Sequence, residues 1–111
     1  MNERRMEGRL LCADLVRVEW GSRVLDGVLE DISQEGACVQ TEELIPPAAT
    51  ISIQEIEGRS PVYSGYVAYC VLRDEGYFVG IHFSPKTLWR SRVFEPQHLT
   101  DPEVFAEIQP I

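Results

Sequence analysis

Leu29-Glu30-Asp31-Ile32-Ser33-Gln34-Glu35-Gly36-Ala37-Cys38-Val39 decides how this chain is read. An apolar run enters it, polar residues interrupt it, and a second apolar run leaves it. Asp and Ser side chains hydrogen-bond backbone a residue or two on, and Gly accepts left-handed backbone. The segment therefore reads as strand, turn, strand, with Asp31–Gly36 as the turn.

The same alternation extends on both sides. Val16, Val18 and Trp20 fall on one face of a strand expected from Ala13, with Leu15, Arg17 and Glu19 on the other. Gly21-Ser22 turns the chain into a second strand, Arg23 to Ile32, with a bulge expected around Gly27-Val28-Leu29. Ala37 to Thr41 is the third strand. Pro46-Pro47 bars helix and central strand, so Glu42 to Ala49 is a loop. Thr50 to Ile56 is the fourth strand, and Glu57-Gly58-Arg59 the turn after it.

Val62 to Leu72 is the fifth strand. Tyr63, Val67, Tyr69 and Val71 share one face in this reading, and Tyr66, Ala68, Cys70 and Leu72 the other. Apolar residues on both faces predict a strand covered on both sides. Asp74-Glu75-Gly76 is a hairpin turn, and Tyr77 to Phe83 is the sixth strand. Short strands without a βαβ rhythm predict an all-β fold, a small six-stranded antiparallel barrel. Ser84-Pro85 ends the sheet. A helical stretch is expected through Phe94, and the capping box Thr100-Asp101-Pro102-Glu103 opens a short final helix. The organisation expected is an arm over residues 1–12, a barrel over 13–83 and a helical tail over 84–111.

Composition narrows the function classes. In 111 residues, 44% are apolar and 25% charged, which suits one soluble domain. No apolar run approaches a membrane span of about 20 residues, and the first residues lack the apolar core of a secretory signal. Cys12, Cys38 and Cys70 have no metal-type spacing and are expected as reduced, mostly buried thiols in a cytoplasmic protein. The formal charge of −8 disfavours DNA or RNA as partner. Yet Arg4, Arg5 and Arg9, three of the ten basic residues, fall within the first nine positions. An acidic body with a local arginine cluster suits a small, compact anion.

Catalytic patterns are few. His82 and His98 stand apart from any nucleophile or metal spacing, and no phosphate-loop glycine pattern occurs. The expectation is a non-enzymatic binding protein, without cofactor or metal.

Arg5-Met6-Glu7-Gly8-Arg9 is an R-x-x-x-R, followed one strand pair later by the D-x-S-x-x-G of Asp31–Gly36. In this order the two motifs resemble the PilZ domain, a bacterial receptor module for cyclic di-GMP, and the likeness covers roughly residues 4–83. It implies a PilZ-like barrel in which Arg5 and Arg9 contact guanine and phosphate while Asp31, Ser33 and Gly36 hold a guanine edge. Such contacts make chemical sense. A guanidinium fork matches both guanine O6/N7 and phosphate, and a carboxylate accepts the guanine N–H donors. Arg4, in front of the motif, implies a second ligand stacked on the first, so one or two molecules per chain. The arm is expected to order over the ligand and signal to an unknown protein partner. The alternative is a PilZ-fold adaptor working through protein–protein contacts without nucleotide.

Overall fold

Period-two alternation produces the strands of the computed structural model, which describes residues 5–6, 9–56, 61–85 and 96, with side chains from residue 9 onward. They are β1 (Arg5–Met6), β2 (Arg9–Trp20), β3 (Arg23–Ile32), β4 (Gly36–Thr41), β5 (Thr50–Glu55), β6 (Tyr63–Arg73) and β7 (Gly76–Phe83). All pairings are antiparallel, in the order β1-β2-β3-β4-β7-β6-β5, and β2 pairs again with β5. That last pairing closes β2–β7 into a six-stranded barrel, with β1 added at the start of β2. The fold is all-β, as the alternation predicts. The expected helical tail and the Glu57-Gly58-Arg59 turn lie outside the described residues.

The strands β2–β7 send apolar residues inward. Val16 and Val18, Leu29 and Ile32, Val39, Ile51 and Ile53, Val67, Val79 and Ile81, and Phe83 form the core. Each such side chain removed from water contributes about 1.5–3 kcal/mol. Tyr63 stacks on Phe83 with ring centroids 5.4 Å apart. Cys12 and Cys38 are buried and Cys70 half-buried, all as free thiols.

Three departures from the sequence reading concern one end of the barrel. First, β2 begins at Arg9, not Ala13, and β1 folds back on it with Met6 opposite Arg9 and Arg5 opposite Leu10. Leu10, Leu11 and Cys12 are all buried. Three consecutive apolar residues hide the alternation that marks a strand, so its first turn reads as arm.

Second, the bulge on β3 is at Glu30, since Leu29 pairs with Val39 but Asp31 with Cys38. It is one to three positions later than expected. Third, β6 carries a bulge at Ala68, because Val67 pairs with Ile81 and Tyr69 with Gly80. The extra residue moves Tyr69 off the inward face of Val67 and onto the outer face with Tyr66. Among the described residues nothing covers the outer side of β6, where Tyr66, Tyr69, Val71 and Leu72 are exposed. A bulge re-aims side chains in this way, and bulged strands twist more strongly.

No helix among the described residues is long and apolar enough to cross a membrane.

Candidate ligand-binding site

The bulges align one row of residues across five strands on the outside of the barrel. Leu11 pairs with Asp31, Asp31 with Cys38, Cys38 with Gly80, and Gly80 with Tyr69. A neighbouring row runs Gly36, His82, Tyr66. Between them lies an open depression of about 220 Å³, lined by Arg9, Asp31 and Ser33 on one side and by Tyr69 and His82 on the other. Gly36, Cys38 and Gly80 form its floor.

Asp31 is the charged centre. Its side chain is 7% exposed, and Oδ2 stands 3.4 Å from Nη1 of Arg9, whose own side chain is 52% exposed. Burial raises the Asp31 pKa above the usual carboxylate value; the Arg9 charge and the Cys38 backbone N–H donating to the carboxylate pull it part of the way back. Asp31 was expected in a surface turn and is instead buried. The Glu30 bulge explains this, because it sets Asp31 opposite the buried Leu11 near the start of β2.

Ser33 and Gly36 close the hairpin. Ser33 N–H donates to the Gly36 carbonyl at 2.8 Å, and Ser33 Oγ donates to the same oxygen at 3.3 Å. The turn chemistry read from the sequence therefore holds for Ser33 but not for Asp31, which is committed to Arg9. Gly36 has no left-handed backbone, contrary to the reason first given for its glycine. It is needed for closeness: a β-carbon there would collide with the carbonyl oxygen of Ile81 on β7. The turn is also tied to the end of β7, where Phe83 N–H donates to the Glu35 carbonyl at 2.8 Å.

The opposite wall is aromatic. Tyr69 lies over Gly80, where a β-carbon would overlap its ring. Its hydroxyl donates to the Cys38 sulfur; burial, reinforced by Cys38, pushes the Tyr69 pKa up to about 12. Burial and the nearby Asp31 charge push the Cys38 thiol up to about 12. Both groups are therefore neutral near pH 7, and Tyr69 remains 43% exposed. His82 is exposed, its ring 5.2 Å from that of Tyr66 at a 43° tilt.

Of the six residues singled out in the sequence, the fold brings Arg9, Asp31, Ser33 and Gly36 into one depression. The backbone of Arg5 pairs beside Leu10, next to Arg9; its side chain, and all of Arg4, lie outside the described residues. Tyr69, Gly80 and His82 were not selected. A glycine isolated inside the β7 pattern, between Val79 and Ile81, is the signal for Gly80, since such a residue marks close approach. No sequence signal reveals the Ala68 bulge that turns Tyr69 outward.

No family model matches the chain, and no curated protein matches it either.

Proposed function

We propose that this chain is a cytoplasmic, non-enzymatic receptor for cyclic di-GMP, related in kind to the PilZ domain that its motifs resemble. One observation carries the reading. Arg9 and the residues of the Asp31–Gly36 turn, distant in sequence, line one depression that also offers an exposed aromatic face.

Each wall has a chemical counterpart in a cyclic guanine dinucleotide. The half-exposed Arg9 fork presents charged donors to phosphate or to guanine O6 and N7. Asp31 is an acceptor for the guanine N–H edge. The Tyr69 face gives a base a stacking surface, and the glycine floor lets it approach the backbone. Arg5 belongs to β1, whose backbone pairs with β2 beside Arg9, so in this reading a ligand held by both arginines fixes that strand pair. Ordering of that pair is then the event passed to a protein partner.

Calorimetric titration with cyclic di-GMP tests the reading. Saturable binding at one or two ligands per chain, lost on Arg9→Ala, is expected. Absence of heat and of any ligand-induced rise in melting temperature would overturn it. The adaptor alternative would then stand on the exposed apolar residues Tyr66, Val71 and Leu72 of β6.

A further inference from the structure

We propose that His82 is a ligand-contacting residue of this site, and that it makes the receptor's affinity for its dianionic ligand rise as pH falls. The proposal rests on the cyclic di-GMP reading and adds a residue and a proton linkage to it.

The position of His82 follows from register. It pairs with Gly36, and the next residue along, Ile81, pairs with Ala37. Ala37 pairs with Ile32, and Ile32 with Leu10, the neighbour of Arg9. Arg9 and His82 therefore stand at the same level, on β2 and β7, at opposite ends of the depression that both line. Three strand spacings separate those strands, roughly 14 Å between backbones. Gly36, lying between them, puts no side chain in the way. His82 is exposed and lines the depression, within reach of a ligand that fills it.

The depression carries one described cation, Arg9, and two carboxylates, Asp31 and Glu35. The titratable or charged groups around the depression are Arg9 from β2, Asp31 from β3, Glu35 from the turn, Cys38 from β4, and Tyr66 and Tyr69 from β6. The Tyr66 ring beside His82 offers its π-face to an imidazolium. Imidazole is the side chain that ordinarily gains its charge between about pH 8 and pH 5. A phosphodiester stays singly charged throughout that range, so the ligand contributes no slope of its own. Any protonation of Asp31 acts with the opposite sign, because it removes the anionic acceptor for guanine.

The test is the dissociation constant of cyclic di-GMP measured from about pH 8 to about pH 5.5 for wild type, H82Q and H82R, with calorimetry in buffers of different ionisation enthalpy. Wild type is expected to tighten by about three- to tenfold on acidification, the scale of one added charge near a solvated site, with net proton uptake on binding. H82Q loses that gain. H82R, with a fixed charge, binds tightly at every pH without uptake linked to residue 82. Binding by wild type without a pH slope, or a slope that survives in H82Q, overturns the role of His82 and leaves the receptor reading intact. Absence of binding at every pH overturns both.

Discussion

The ring of Tyr69 lies across Gly80 so closely that no β-carbon fits beneath it, and its hydroxyl reaches on to the Cys38 sulfur of the next strand. A flat aromatic surface is thereby set into the outside of the barrel, next to the only described carboxylate paired with Arg9. Gly80→Ala should lift the ring rather than unfold the chain, because a half-exposed side chain can swing away. Cyclic di-GMP affinity is expected to fall about tenfold or more, since stacking on an aromatic ring contributes about 1–3 kcal/mol per base. Tyr69→Ala should cost a similar amount, and the double variant little more than either, as expected of coupled residues. Calorimetry on the three variants checks this; additive losses would mean that Gly80 and Tyr69 act separately.

Gly36 should behave differently, although it too belongs to the floor. What a side chain would meet there is the backbone of β7, at the Ile81 carbonyl, which cannot swing aside. Gly36→Ala is expected to lower folding stability by about 3 kcal/mol, towards the upper end for single substitutions, and Gly36→Val by more. Ser33→Ala removes one long hydrogen bond while the Ser33 N–H bond persists, and should cost about 1 kcal/mol. Urea denaturation separates the two: if Gly36→Ala unfolds at the wild-type midpoint, the close approach of β4 to β7 is not required.

The sequence makes the barrel legible because a strand half-buried in a core must alternate. Val16 and Val18, Ile51 and Ile53, and Val79 and Ile81 show that period without ambiguity. It cannot show where the period slips. The bulges at Glu30 and Ala68 each add one residue without leaving a mark in composition, and each moves a site residue: Asp31 into a buried position, Tyr69 to the outside. Arg9 and the Asp31–Gly36 turn were legible as a motif, but their separate duties were not. That Asp31 faces Arg9 while Ser33 closes the turn depends on contacts between residues distant in the chain.

Asp31 should cost the fold stability at neutral pH. Its folded pKa is raised above the ordinary aspartate value of 3.8, chiefly by burial. An acid raised in this way binds its proton more tightly in the folded chain, so stability falls as pH rises through the window from 3.8 to the folded value. The penalty is fully present above that window and relieved below it. Asp31→Asn removes the buried charge at similar shape, so it is expected to melt higher than wild type near pH 7, with the advantage shrinking on acidification. It should also bind cyclic di-GMP more weakly, having lost an anionic acceptor. Thermal denaturation across pH checks the sign; a constant difference between the two proteins would show that the Asp31 proton is not linked to folding.

Arg9 separates affinity from stability most cleanly. Its side chain is half exposed, and the 3.4 Å contact with Asp31 is a single, long one. A pair of this kind contributes little to folding, so Arg9→Lys should change stability by less than about 1 kcal/mol. The ligand is a harsher judge. Lysine keeps the charge but loses the planar fork that addresses two acceptors at once, whether they belong to one phosphate or to O6 and N7 of one guanine. Binding of cyclic di-GMP is therefore expected to weaken by about 1.5–3 kcal/mol, the range for a hydrogen bond to a charged group. Calorimetry and denaturation on the same preparation give both numbers. If Arg9→Lys binds as tightly as wild type, charge alone recruits the ligand and the fork has no part in recognising it. If it instead loses stability and affinity together, Arg9 acts mainly by holding β2 against the buried Asp31.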